Sequence, residues 1–197
     1  MMKKNLLSKL FLLRLFPLLF FSCMSLPKDN AFCSRELSGK PVKNQNQLVE
    51  FFLSENPEFD KNEISILADY YIDEAKTENI NSDVAFVQMC LETGFLRFGN
   101  LVTKEMNNFC GLGAIDENHR GEKFETPLLG VRAHIQHLQA YATTQDVKLN
   151  NELIDPRYNW VHKTKLAKNV FELSGAWATD SNYGKKLDGL LTKLEQF

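Results

Sequence analysis

The run Val84-Ala85-Phe86-Val87-Gln88-Met89-Cys90-Leu91 constrains this chain more than any other stretch. Its side chains are almost all apolar, so a helix built from it is apolar on every face and has to be buried inside a fold. Ser82 reads as its N-cap and Gly94 as the left-handed residue that ends it. Glu92 then falls in the last turn. The negative end of the helix dipole faces its carboxylate and the apolar neighbours strip it of water, and both effects raise the pKa. A glutamate still protonated near neutral pH can act as a general acid. The competing reading is an ordinary exposed glutamate at a helix end. The loop Asn107-Asn108-Phe109-Cys110-Gly111-Leu112-Gly113 follows closely. Its glycines bring backbone to the surface and place Phe109 toward a groove.

The flanking sequence predicts further helices. One spans about Gln45 to Ser54. A second is capped by Asp60, with Glu63 in the capping-box position, and carries Ile64, Leu67, Ala68, Tyr71, Ile72 and Ala75 at helical spacing. Gly130 to Thr143 is a third, with Val131, Ile135, Leu138 and Ala142 in one stripe. Asp155-Pro156-Arg157-Tyr158 marks a turn, a helix follows from about Lys165 to Leu173, and Leu187, Leu190, Leu191 and Leu194 define the last. Ile115 to Pro127 is polar and aperiodic, as in a loop or short hairpin. The expected architecture is mainly α, a helical bundle around the Glu92 helix with a small irregular or β lobe.

At the N-terminus, Lys3 and Lys4 precede an apolar stretch from Leu10 to Phe21 and then Ser22-Cys23, the pattern of a secretory signal. The longest uncharged run, Leu15 to Pro27, has 13 residues and is too short to cross a bilayer. The Ser-Cys junction resembles the lipobox of bacterial lipoproteins, which implies that Cys23 is acylated and holds the protein on a membrane. Residues 24 to about 44 are polar, with Pro27, Gly39 and Pro41, and read as a tether. The chain thus divides into a signal peptide over 1–22, a lipidated tether over 23–44 and one globular domain over 45–197. Without the four basic residues of the first 22, the 23 basic and 25 acidic side chains become a net −6. Nothing in that balance points to a nucleic-acid partner. Cys90 and Cys110 are open to two readings, a disulfide or two buried thiols. His134 and His137 form an H-x-x-H pair with no third ligand nearby in sequence, so no metal is implied, and His137 reads as a packed or hydrogen-bonded core residue.

Four segments in order carry a family resemblance: Leu91-Glu92-Thr93-Gly94, Asn108-Phe109-Cys110-Gly111-Leu112, Gly130-Val131-Arg132-Ala133-His134 onward to Ala142, and Trp177-Ala178-Thr179-Asp180 with Tyr183-Gly184. Together they resemble the glucosaminidase family of bacterial cell-wall hydrolases, from roughly Ile64 to Leu194. The resemblance implies a lysozyme-like α+β fold that cleaves the β-1,4 bond after N-acetylglucosamine in peptidoglycan, without a cofactor, in the bacterial cell envelope. It gives Glu92 the general-acid role, sets Asn108 to Gly111 along the sugar groove and puts Tyr183 at the catalytic centre. Phe109, Tyr141, Trp177 and Tyr183, with Asn108, supply the aromatic faces and polar groups that sugars need. A second carboxylate is not evident. Asp116, Glu117, Glu122 and Glu125 are the candidates, with Glu122 favoured. A lytic transglycosylase or a non-catalytic glycan-binding lipoprotein is the alternative.

Overall fold

A computed structural model of the chain describes residues 31–197, so the expected signal peptide and Cys23 lie outside the described residues. The expected mainly helical architecture is found. Six helices follow in order: α1 (Gln45–Glu55), α2 (Lys61–Thr77), α3 (Ser82–Thr93), α4 (Pro127–Ala142), α5 (Tyr158–Thr164) and α6 (Tyr183–Leu194). Between α3 and α4 a two-stranded antiparallel hairpin, β1 (Ala114–Asp116) and β2 (His119–Arg120), forms the small lobe.

α3 is the axis of the fold. It packs against α1, α2, α4 and α6, and every residue from Ser82 to Cys90 is buried. Its cap is Asn81, whose side chain accepts from Asp83 N, so Ser82 lies one residue inside the helix and its hydroxyl has no partner. Gly94 ends it in the left-handed region, at φ 59°, as expected. Directly beyond, Phe95, Leu96 and Phe98 also take positive φ, which bulky residues avoid unless their surroundings dictate it. Thr93 dictates much of it here. Its hydroxyl donates to Met89 O and accepts from Leu96 N, while Phe98 N donates to Thr93 O. α4 starts with Thr126 as cap and Pro127 in its first turn. It passes so close to the Asn107–Phe109 loop that a Cβ on Gly130 would lie 1.8 Å from the Asn107 carbonyl oxygen.

Two expectations are corrected. Lys165 to Leu173 is not helical, and the helix in this region is α5, which begins at Tyr158. The backbone of 167–170 is taken by tertiary bonds: Ala167 N donates to Tyr141 O, Val170 N to Arg35 O, and Lys168 O accepts from Leu37 N. Side chains of Asn169 and Glu172 then cap the remaining amides locally. The second correction follows from the first. Residues 33 to 43 are not a free tether but a strap in the body, with Cys33 and Leu37 in the core and Val42 N and Lys43 N bonded to the buried Asp83 carboxylate. Cys33, Cys90 and Cys110 are free, buried thiols, which decides the open question about the latter pair.

Candidate active site

Glu92 sits where α3 emerges from the core, and its carboxylate reaches a cleft of about 430 Å³ between the helical body and the hairpin lobe. Thr93, Phe98, Leu101, Gly111, Trp177 and Tyr183 are among the residues that line this cleft. Two donors converge on a single carboxylate oxygen. Trp177 Nε1 donates to Glu92 Oε1 at 3.0 Å, and the Tyr183 hydroxyl donates to the same atom. Oε2 is left to face the glycine loop, 3.9 Å from where a Cβ on Gly111 would stand. Burial pushes the Glu92 carboxyl above its ordinary range, outweighing the opposite effect of the Tyr183 and Trp177 hydrogen bonds. Tyr183 is itself pushed well up, by burial first and by the neighbouring Glu92 second, so it remains a donor.

Behind Tyr183 runs a buried chain that the sequence did not announce. Gln88 Nε2, one turn before Glu92, donates to Tyr183 Oη at 2.8 Å. Gln88 Oε1 must then accept, and its partner is His134 Nε2 at 3.0 Å. That fixes the proton of His134 on Nε2 and leaves Nδ1 to accept from the Tyr71 hydroxyl at 2.8 Å. Complete burial holds His134 neutral, with its pKa lowered to about 3. From Tyr71 to Glu92 every donor thus points the same way, across α2, α4, α3 and α6. A polar Gln88 in an all-buried helix was the available signal, because a buried amide needs partners.

The Trp-Ala-Thr-Asp motif explains how the other half is held. The backbone of 173–178 folds on itself through Trp177 N to Leu173 O and Gly175 N to Ala178 O, which presents the indole to the cleft. Asp180 Oδ1 accepts from Asn182 N, and Tyr183 then opens α6. Tyr141 lies behind the indole. Its hydroxyl donates to Ala176 O at 3.1 Å, and its ring centroid is 5.4 Å from that of Trp177. It therefore supports Trp177 and does not line the Glu92 cleft. His137 packs there too, with Nδ1 2.7 Å from Asp155 Oδ2, so neither histidine of the H-x-x-H pair is free.

The other expected site residues are placed differently. Asn108 borders the cleft but its amide is spent inside the loop, donating to Leu112 O and Glu122 O and accepting from Leu112 N. Phe109 is not in the groove. Its ring turns the opposite way into the core against α4 and borders a separate apolar pocket with Phe59, Tyr70 and Pro127. Glu122 lies over Gly113 and does not line the cleft, where Glu92 is the single acidic residue among those described. Of the other candidates, Asp116 caps the hairpin turn, and Glu117 with Arg120 borders a groove that meets the cleft at Asn100 and Leu101.

Residues 68–196 match the glucosaminidase family, described as mannosyl-glycoprotein endo-β-N-acetylglucosaminidase. A protein of Borreliella burgdorferi, described as uncharacterized, is 43% identical over 150 residues, covering 76% of this chain and 72% of that protein. No solved structure matches. By the family match over its helical body, which spans α3 with Glu92 and α6 with Tyr183, the chain belongs to the glucosaminidase family.

Proposed function

We propose that the protein hydrolyses the β-1,4 bond after N-acetylglucosamine in peptidoglycan strands, with Glu92 as general acid, from a membrane to which an acylated Cys23 fastens it. The observation that carries this reading is the asymmetry of the Glu92 carboxyl: Oε1 holds two donors while Oε2 faces an open groove. With Oε1 saturated, the proton rides on Oε2. It passes to the glycosidic oxygen as the bond from that oxygen to C1 breaks, and the leaving strand departs as an alcohol. Positive charge develops at C1 and the ring oxygen, and the carboxylate left on Glu92 lies beside it, stabilised by Trp177 and Tyr183. No second carboxylate lines the cleft among the described residues, so the partner role falls to the sugar's own N-acetyl oxygen, closing on C1 from the opposite face. Water then opens that ring, giving its proton to Glu92 and restoring the acid.

The same single carboxylate supports a second reading, a lytic transglycosylase, in which a sugar hydroxyl takes the place of water. Mass spectrometry of peptidoglycan digested by the protein, with Glu92→Gln alongside, separates the two. Reducing N-acetylglucosamine ends, absent with the variant, are expected. Anhydro ends would establish the transglycosylase, and no new ends from either protein would leave a glycan-binding lipoprotein. The variant is expected to keep its thermal midpoint at neutral pH or raise it slightly. The raised pKa means that the fold pays to hold this carboxylate charged, and a neutral amide oxygen still accepts from Trp177 and Tyr183.

A further inference from the structure

Across Trp177 from the Glu92 cleft lies a second pocket of about 220 Å³, and the two share Cys110, Gly111, Ala114 and Trp177 as walls. Its far side is formed by Arg157, Trp160 and Lys165. Arg157 and Lys165 both sit over the Trp160 ring, at 5.5 and 5.9 Å from its centroid, and Trp160 is 51% exposed. Neither cation has a carboxylate partner among the described residues. The nearest acid in sequence, Asp155, is committed elsewhere: Oδ1 accepts the backbone amide of Arg157 and Oδ2 faces His137. No acidic side chain lines the pocket. An aromatic face flanked by two unpaired cations, beside an otherwise acidic body, is built for an anion attached to an apolar or sugar scaffold.

We propose that this pocket is a subsite for the carboxylate-bearing side groups of the glycan strand, with Arg157 and Lys165 binding the carboxylate. The inference rests on the reading of the Glu92 cleft as a peptidoglycan site. A plain N-acetylglucosamine polymer offers these cations nothing. In peptidoglycan every second sugar carries a lactyl ether in amide linkage to a peptide stem, which projects sideways from the strand and bears free carboxylates. A guanidinium stacked on an indole keeps its N–H edge free to donate to such a group. The subsite therefore selects decorated strands over neutral ones and fixes which sugar stands beside Glu92.

The test measures equilibrium binding to the Glu92→Gln protein and to the same protein carrying Arg157→Gln and Lys165→Gln. Three preparations of soluble strands are used: peptide-bearing, stripped of peptide by an amidase so that only the lactyl carboxylate remains, and with all carboxylates capped as amides. The double substitution is expected to weaken binding of peptide-bearing strands about tenfold, as two ion pairs of surface strength would. It should not alter binding of capped strands, and Arg157→Lys with Lys165→Arg should restore the affinity. The lactyl carboxyl is tied up in an amide while the stem is attached, so loss that disappears on stripped strands assigns the stem carboxylates, and loss that persists there shows that the pocket also takes the freed lactyl carboxylate. Equal affinity of the two proteins for peptide-bearing strands overturns the subsite. If the binding contrast holds but the unsubstituted protein cuts no strand, the hydrolase reading falls and the subsite stands.

Discussion

At Glu92 two opposed influences meet, and their balance sets the pH range in which the proposed acid would work. Burial raises its pKa, while the hydrogen bonds from Tyr183 and Trp177 lower it. Removing the Tyr183 hydroxyl takes away a donor that favours the charged form. Tyr183→Phe is therefore expected to move the basic limb of the pH–rate profile to higher pH and to cut the rate roughly 10- to 100-fold with little loss of strand binding. A profile whose limb stays in place or moves down would remove Tyr183 from the proton's control. Glu92 stands out in the sequence by its place at the end of a buried helix, and Tyr183 only by the family resemblance, yet the fold brings the two into hydrogen-bond contact. Phe109 was not legible, because the glycines at 111 and 113 say where backbone surfaces but not to which side the neighbouring ring turns. Asn108 was set along the groove by the family resemblance, which does not reveal that its amide is consumed by Leu112 and Glu122.

Helix identity was largely readable from spacing and caps, as α1, α2, α4 and α6 illustrate, and so was α3, buried along most of its length. What spacing does not carry is the pairing between helices. The periodicity of 165–173 looked helical, but its backbone amides had better partners in the strap and in α4. The Tyr71–His134–Gln88–Tyr183 chain is the polar counterpart, four residues on four helices that meet only once α3 is enclosed. His134 makes its cost measurable. Its folded pKa is about 3, below the ordinary value of 6.5, so the folded state binds a proton less readily than the unfolded chain. The stability this confers is fully present above pH 6.5 and is lost as pH falls toward 3, with a slope approaching 1.4 kcal/mol per pH unit, an order-of-magnitude figure of about one proton. Urea unfolding of the wild type and of His134→Gln between pH 7 and pH 4 tests it. The variant should be less stable at pH 7 but lose less on acidification, and parallel curves would show that His134 is protonated in the fold.

The strap changes how the whole molecule relates to its surroundings. Arg35 is its fastening: the guanidinium bonds Asp188, Glu195 and Thr192 of the C-terminal region and the Cys33 carbonyl, while Leu37 is completely buried. A segment that reads as polar and aperiodic is thus core by partnership, a property no local pattern discloses. Its consequence for anchoring is geometric. If Cys23 carries lipid, the body begins at Cys33, ten residue steps away with nine residues between, a reach of at most about 33–36 Å. The hydrolase would then work on strands close to its membrane, within a shorter radius than a tether reaching residue 44 would allow. Anchoring and folding should also be separable. Cys23→Ser is expected to shift the protein to the soluble fraction with its thermal midpoint unchanged. Arg35→Met is expected to cost about 1–3 kcal/mol, through the stranded Asp188 and Glu195 carboxylates, while leaving the protein on the membrane. Fractionation and thermal melts of both variants decide it: a Cys23→Ser protein that stays membrane-bound removes the lipid anchor, and an Arg35→Met protein as stable as the wild type returns the strap to the role of a passive linker.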